Sequence, residues 1–124
     1  MTFRYARHTN AIKPLIEFYT QIIGLKNLGD FKDHSGYNGV FLGYENSDWH
    51  LEFTESKEKV MHHPDDDDLI VFYFKTLGEF NQVKDRVEKW GIPIETSKNP
   101  YWQQNGIEIK DPDKFGVILT IDKC

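Results

Sequence analysis

The sequence predicts an α+β fold in which a βαβββ module occurs twice, giving one domain with a cupped, mostly antiparallel sheet and the helices outside. Two observations predict it. The same order of strand-like and helix-like segments appears in each half of the 124-residue chain, and a polar run separates the halves. A repeat of this length indicates one module used twice, and each small sheet needs a partner to close its curve. Module one is residues 1–55, the linker is 56–68 and module two is 69–124.

The first module begins with residues 3–8, which alternate like a half-buried strand. Thr9 and Asn10 can cap the helix that follows, and Gly24 can end it. Its apolar face repeats at i, i+3, i+4 and i+7 and consists of Leu15, Phe18, Tyr19 and Ile22. Short connections rich in Gly, Asn and Ser then separate three predicted strands, at 25–31, 38–45 and 48–54.

The second module repeats this order. Residues 69–75 are strongly β-prone, and Thr76 with Glu79 forms a capping box at the start of a helix. The apolar positions of that helix are Phe80, Val83, Val87 and Trp90, and Gly91 stops it. Strands are predicted at 92–96, 106–111 and 116–121. Between them, Asn99-Pro100 and the stretch 111–115 are interpreted as turns, the second of which sets the register of the last strand.

Composition narrows the class of protein. The net charge is −5, and four of the 20 acidic residues form the single run 65–68. Because no basic stripe is present, we expect no nucleic-acid partner. No apolar run approaches the ~20 residues of a membrane span, and the first residues do not resemble a signal peptide. The single cysteine, Cys124, cannot form an internal disulfide, which favours a cytoplasmic protein that does not associate with membranes.

The segment DWHLEFT at 48–54 is the best candidate for chemistry. Residues two apart on a strand share a face, so His50, Glu52 and Thr54 lie together, opposite an apolar face. Two bulky rings, Tyr101 and Trp102, follow the Asn99-Pro100 pair, where they either pack against the sheet or contact a ligand.

Four stretches, RHTN…IEFYTQIIGL, WHLEFT, NPYWQQNGIEIKDPD and FGVILTI, resemble the vicinal oxygen chelate superfamily. This superfamily includes glyoxalase I, the extradiol dioxygenases and the bleomycin resistance proteins. The likeness covers nearly the whole chain except the linker. It implies paired βαβββ units around a cupped sheet, a small-molecule ligand and a homodimer.

The resemblance also implies where metal ligands would stand, namely at Arg4, Glu52, a position near Leu69, and Ile118. Of these only Glu52 can bind a cation, since arginine, leucine and isoleucine offer no lone pair. We therefore expect no cofactor and an ion pair between Arg4 and Glu52. A displaced site that uses His8, with His50 and Glu52, is the alternative, and it could hold Zn, Fe, Mn or Ni.

The sequence thus predicts a protein that binds or converts a small organic molecule in the cleft, with a degenerate metal site. Arg4 binds an anionic group, His8 and Glu52 form a polar, acid–base pair, and His50 lies beside them. Stacking walls come from three rings, those of Tyr73, Tyr101 and Trp102. Two alternatives stay open: a metal-dependent lyase, isomerase or dioxygenase using His8 and Glu52, and an antibiotic-sequestering resistance protein. These hypotheses include both enzymes and proteins that only bind a ligand.

Overall fold

A computed structural model describes residues 1–122, which separate into two compact units, the first spanning Met1–His62 and the second starting at His63. Cys124 lies outside the described residues. Among the described residues, no helix is long and apolar enough to cross a lipid bilayer.

The first unit contains four strands and one helical segment. The strands are β1 (Phe3–His8), β2 (Lys26–His34), β3 (Tyr37–Gly43) and β4 (Trp49–Glu55), and the helix α1 is Ile12–Glu17. From Phe18 to Ile23 the helix continues with π-helical geometry and ends at Gly24, whose φ of 98° is left-handed. The glycine predicted to stop the helix therefore does so, because a residue without Cβ adopts that conformation at little cost.

The sheet of the first unit has the order β1-β4-β3-β2. Strand β1 pairs with β4 in parallel, whereas β3 is antiparallel to both of its neighbours. The predicted apolar face of the helix is buried against β3 and β4: Leu15, Phe18, Tyr19 and Ile22 are each at most 4% exposed. The rings of Tyr19 and Phe53 stack with their centroids 5.3 Å apart, which joins the helix to β4 through the most buried part of the unit.

The second unit contains three strands and two helices. The strands are β5 (Leu69–Phe74), β6 (Ile107–Lys110) and β7 (Gly116–Ile121), and the helices are α2 (Leu77–Lys89) and α3 (Pro100–Asn105). The sheet order is β5-β7-β6, with β5 parallel to β7 and β6 antiparallel to it. The first and last strands of each unit are thus parallel neighbours. The two-module α+β prediction is confirmed, and each sheet is mixed.

Two predictions for the second unit are wrong. The strand predicted at 92–96 is reduced to one isolated bridge between Glu95 and Glu108. The Asn99-Pro100 pair, interpreted as a turn, begins helix α3, because the Asn99 side chain accepts a hydrogen bond from the Tyr101 N–H at 3.0 Å and Pro100 occupies the first turn. Asparagine as the N-cap followed by proline at the first helical position is also a helix-start signal.

Trp90 is a third correction. It was assigned to the apolar face of α2, but it is 51% exposed, whereas Val83 and Val87 are buried. At 3.6 residues per turn, a residue ten positions after Phe80 lies about 80° away from it around the helix. Trp90 also follows the last helical residue, Lys89.

The stretch 111–115 forms the predicted turn, in which the Asp111 carboxylate accepts hydrogen bonds from two backbone N–H groups, those of Asp113 and Phe115.

The segment that follows β4 is tied to the first unit at two places. The Asn10 side-chain amide donates to the Val60 carbonyl at 2.8 Å and accepts from the Val60 N–H at 2.9 Å. The His62 ring lies 2.6 Å from the His8 carbonyl oxygen. The part of 56–68 up to residue 62 is therefore anchored rather than freely solvated.

The N-cap of α2 gives a testable prediction. The Thr76 hydroxyl accepts a hydrogen bond from the Glu79 N–H at 3.1 Å, so Thr76→Ala should lower the free energy of unfolding by about 1 kcal/mol. Urea unfolding followed by circular dichroism measures the change. Thr96→Ala, at an exposed position outside any helix or strand segment, is the matched control and should leave stability nearly unchanged. Equal stability of the two variants would contradict the capping role.

Candidate functional site

One face of the first sheet collects the polar side chains predicted for a site. In the parallel register of β1 and β4, Arg4 lies opposite His50 and Ala6 lies opposite Glu52. The small side chain of Ala6 leaves space across which the longer Arg4 can reach the Glu52 carboxylate. We call the surface formed by Arg4, His50 and Glu52, together with Phe31 of β2 and Phe41 of β3, the Arg4 face. The opposite face of β4 is core, as predicted, since Phe53 is fully buried.

Arg4 is held by three neighbours. Its Nε–H donates to His50 Nε2 at 2.9 Å, its Nη1 lies 3.6 Å from Glu52 Oε1, and its guanidinium carbon lies 5.0 Å from the centre of the Phe41 ring. The predicted ion pair between Arg4 and Glu52 is thus confirmed. Since His50 Nε2 accepts this hydrogen bond, the neutral ring carries its proton on Nδ1.

The two charged partners differ in exposure. The Arg4 side chain is 50% exposed and that of Glu52 only 13%. An ion pair this accessible to water contributes less than about 1 kcal/mol to stability. Its main effect is geometric: it fixes the orientation of a guanidinium whose outer edge still faces solvent.

Two aromatic rings missed by the sequence analysis complete the Arg4 face. Phe41 packs edge-to-face on His50, and the rings of Phe31 and Phe41 lie 5.8 Å apart. Phe31 lies directly over Gly39, where an added Cβ would come within 2.3 Å of the ring. The signal was present in the stretch NGVFLG, because Gly39 and Phe41 are two apart and so share a face.

His8 is placed elsewhere on this sheet. Its Nδ1 lies 2.8 Å from the Thr54 hydroxyl and its Nε2 lies 3.1 Å from the Ser56 hydroxyl. In the described part of the chain both ring nitrogens therefore have partners other than Glu52. The structure brings Arg4, His50 and Glu52 together, but it does not join His8 to Glu52.

The side chains at the positions that the resemblance implies for metal ligands, the third of them at or near Leu69, do not fit a metal ion. Arg4 is a cation, and Leu69 and Ile118 have no donor atoms, which leaves one carboxylate where a divalent ion in a catalytic site wants three or more protein ligands. Between residues 1 and 122, no group of three or more His, Cys, Asp or Glu side chains is arranged to hold a metal ion.

The second unit has an open pocket of about 540 Å³. Its walls come from the start of β5 and from the N-terminal half of α3 with the residues before it, and they consist of Asp67, Leu69, Val71, Lys98, Asn99, Pro100 and Trp102. Trp102 lines this pocket; its predicted contact with a ligand stays a prediction. Tyr101 packs edge-to-face on Trp102 but is 59% exposed, and Tyr73 is 60% exposed.

Comparison with known proteins identifies relatives for both halves of the chain. The family model of the YycE-like N-terminal domain matches residues 3–54, and that of the YycE-like C-terminal domain matches residues 67–120. The uncharacterized protein YycE of Bacillus subtilis (strain 168) is 35% identical over 123 residues, which covers 97% of this chain and 87% of the relative. The crystal structure of a YycE protein of unknown function from Bacillus subtilis superposes with a TM-score of 0.86 at 33% identity, covering 99% of this chain and 90% of that one.

Two more distant structures share the fold. Leishmania major glyoxalase I, a trypanothione-dependent enzyme, gives a TM-score of 0.76 at 22% identity, with 99% of this chain and 87% of the enzyme covered. The fosfomycin resistance protein FosX of Listeria monocytogenes, in complex with Mn(II) and 1S,2S-dihydroxypropylphosphonic acid, gives 0.73 at 11% identity, with 97% and 90% covered. At these identities the likeness concerns the fold alone: the chain shares its fold with a glyoxalase and a fosfomycin resistance protein.

The contact between Phe31 and Gly39 can be tested by adding one methyl group. Gly39→Ala should lower the free energy of unfolding by about 1–3 kcal/mol, because the new Cβ would overlap the Phe31 ring. Gly78→Ala is the control, since its nearest neighbour would be the Thr76 hydroxyl at 3.8 Å; there alanine should gain up to about 1 kcal/mol in the helix. Chemical denaturation measures both, and a Gly39→Ala protein as stable as the original would show that Phe31 does not rest on Gly39.

Proposed function

The chain belongs to the YycE-like family, a branch of the vicinal oxygen chelate superfamily, and on this premise we propose that it binds a small anionic organic molecule on the Arg4 face without a resident divalent metal. The anionic group is a carboxylate or a phosphonate, and the rest of the molecule is flat and apolar.

The orientation of Arg4 is the observation that carries this proposal. Three neighbours fix its guanidinium, and half of the side chain remains exposed. A guanidinium that is already ordered loses less freedom when it binds, and its planar pair of N–H groups matches the two oxygens of a carboxylate or phosphonate. Glu52 contacts the guanidinium at Nη1, so we assign the anion to the N–H groups that face solvent.

The apolar part of the ligand is assigned to the aromatic side of the Arg4 face. The Phe31 and Phe41 rings lie next to each other on the same side of the sheet as Arg4. An aromatic or otherwise flat ligand would stack there while its anionic group contacts Arg4. Few polar anchors beside apolar walls are typical of small-molecule sites.

Arg4 also explains how such a site works without a metal ion. In a metal-dependent protein the bound cation attracts the anionic group of the ligand. In our proposal the positively charged guanidinium of Arg4 attracts this group instead. FosX holds Mn(II) together with a phosphonic acid, and in our proposal the YycE-like chain keeps an anionic ligand but replaces the metal charge with Arg4. We further propose that the protein acts in the cytoplasm, as the sequence predicts, and that it is a homodimer, as the resemblance implies.

A metal-dependent enzyme is less well supported. It would need His8 and Glu52 to converge on one ion, whereas His8 bonds to Thr54 and Ser56. An antibiotic-sequestering role is compatible with binding at the Arg4 face, and it differs from our proposal only in the identity of the ligand.

Binding of a simple anion tests the proposed role of Arg4. Benzoate, titrated into the protein and followed by NMR, should shift the signals of Phe41 and His50. Arg4→Gln should weaken this binding tenfold or more, because a charge-assisted hydrogen bond contributes about 1.5–3 kcal/mol. Lys13→Gln, which removes an exposed positive charge from α1, controls for net charge and should bind benzoate as the unmodified protein does. Equal benzoate affinity of the Arg4→Gln and Lys13→Gln proteins would refute the proposal.

Metal binding is tested separately by thermal unfolding. Addition of Zn²⁺, Mn²⁺, Fe²⁺ or Ni²⁺ should leave the melting temperature of the chelator-treated protein unchanged, since a ligand that binds the folded state would raise it. A metal-induced rise that disappears in the Glu52→Gln variant would restore the metalloenzyme alternative. A rise that persists in that variant would instead indicate binding at the surface acids of 65–68, and would leave the Arg4 face free of metal.

A further inference from the structure

Ser56 and His8 form a hydrogen-bonded pair at one end of the first sheet. His8 is the last residue of β1, and Ser56 follows Glu55, the last residue of β4. The Ser56 hydroxyl lies 3.1 Å from His8 Nε2. His8 is four residues along the strand from Arg4, which separates the two by about 13 Å. Binding of an anion at Arg4 therefore gives this serine and histidine no role.

The neighbours of the pair indicate which atom carries each proton. Ser56 Oγ accepts a hydrogen bond from the Glu58 N–H at 3.2 Å, so the serine O–H is available to donate to His8 Nε2. The neutral ring then carries its own proton on Nδ1, which lies 2.8 Å from the Thr54 hydroxyl oxygen. The Tyr37 ring packs edge-to-face on the imidazole. A serine nucleophile needs this arrangement, in which its proton faces an unprotonated imidazole nitrogen and a third side chain orients the ring.

Ser56 can be reached from a pocket. This open pocket of about 470 Å³ is lined by Ser56 together with Asn10, Asp33, Gly36, Asn38, Glu55, Lys57 and Lys59. Asn38 and Glu55 are cross-strand partners and share a sheet face with Val40 and Phe53, two residues further on. That is the face opposite to Arg4. The pocket has no wall residue in common with the Arg4 face, so the two are separate places on the first module.

The lining of the pocket indicates the class of molecule that it takes. Every wall residue is polar, charged or glycine, so a long apolar chain has nothing to pack against. The positive charges of Lys57 and Lys59 are balanced by two acids, Asp33 and Glu55. A small, uncharged, polar molecule suits walls of this kind.

Two groups beside Ser56 can stabilise negative charge. The Glu58 N–H already points at Ser56 Oγ, and a hydrogen bond to this oxygen favours its charged form as the proton leaves. Lys57, the next residue, lines the same pocket, and an ammonium group near a reacting carbonyl stabilises the oxyanion that forms on it.

We propose that Ser56 and His8 catalyse acyl transfer from small, uncharged carboxylic esters bound in this pocket. His8 Nε2 takes the hydroxyl proton while Ser56 Oγ forms a bond to the ester carbonyl carbon. When the tetrahedral adduct collapses, the bond to the leaving alcohol breaks and His8 gives the proton to the alkoxide oxygen. Water then hydrolyses the acyl-serine with His8 again as the base, which releases the acid and restores Ser56. Thr54 is a positioning residue, because it acts only through the His8 ring.

A fluorophosphonate is the probe for Ser56, because it forms a stable bond to an activated serine hydroxyl with loss of fluoride. The whole protein is treated, and the labelled residue is located by peptide mass spectrometry. Ser56 should carry the label, and Ser56→Ala should carry none. Ser47→Ala, at an exposed serine in the connection between β3 and β4, is the matched control and should be labelled at Ser56 as fast as the unmodified protein.

Variants of His8 and Thr54 decide whether the imidazole activates the serine. His8→Gln, which is polar but has no basic nitrogen, should slow the labelling about 100-fold or more, as expected for the loss of a general base. His63→Gln, at an exposed histidine, is the control and should keep the rate. Thr54→Val should also slow the labelling, whereas Thr54→Ser, which retains the hydroxyl, should restore it. This pair of variants tests the base even if His8→Gln does not fold.

Three results would overturn the proposal. The first is the absence of label on Ser56. The second is a labelling rate that is the same in the His8 and Thr54 variants as in the unmodified protein. The third is hydrolysis of p-nitrophenyl acetate that persists in full in Ser56→Ala, since other groups of the protein would then be responsible. Because Ser56→Ala should bind benzoate as the unmodified protein does, failure of this proposal and failure of the Arg4 proposal are distinguishable.

Discussion

The parallel pairing of the first and last strands in each module is the constraint on which the rest of the structure depends. In each module the last strand pairs with the first strand, although a helix and further segments lie between them in the sequence. Residues nearly fifty positions apart therefore become direct partners. This is how Arg4 comes to lie beside His50 and how Leu69 comes to lie beside Gly116. In the first sheet the intervening helix packs on the side of Phe53, so this face is core, and the opposite face, which carries Arg4, is more exposed. A change that slipped either pairing by one residue would turn the site residues into the core.

Small residues determine what the available faces can hold. In the first sheet, Ala6 leaves the space across which Arg4 reaches Glu52, and Gly39 leaves the space in which the Phe31 ring lies. In the second sheet, the missing side chain of Gly116 leaves the space that Leu69 occupies, since an added Cβ would lie 2.5 Å from Leu69 Cδ2. Strand positions usually favour β-branched and aromatic residues. Glycine and alanine have a lower strand preference, but because their side chains are small, longer side chains from neighbouring strands can lie above them.

Much of the fold follows from the sequence because its signals are local. The helix stop at Gly24, the cap at Thr76, the turn at Asp111 and the apolar face of α1 depend on residues within a few positions of one another. The ion pair of Arg4 with Glu52 was also predictable, since a shielded carboxylate on a strand needs a positive partner. The misses have equally definite causes. Asn99-Pro100 signals both a turn and a helix start, and only the backbone conformation decides between them. The common face of Gly39 and Phe41 was visible in the sequence, but the positions of Phe31 and of the buried Glu108 depend on cross-strand register.

The cross-strand pairs at the centre of the two sheets show how the repeated module has diverged. In module one, Phe41 of β3 faces Glu52 of β4; at the equivalent positions of module two, Glu108 of β6 faces Ile118 of β7. Each pair consists of one acidic and one apolar side chain, but the two have exchanged strands. A duplicated gene whose copies stayed identical would present the same chemistry twice. Here the exchange leaves each sheet with one acid at this level while moving it to the other strand, next to Arg4 in one module and next to Lys110 in the other. The two modules therefore keep the same parallel pairing of first and last strands while they carry their acidic side chain on different strands, so one architecture presents different chemistry in each half of the chain.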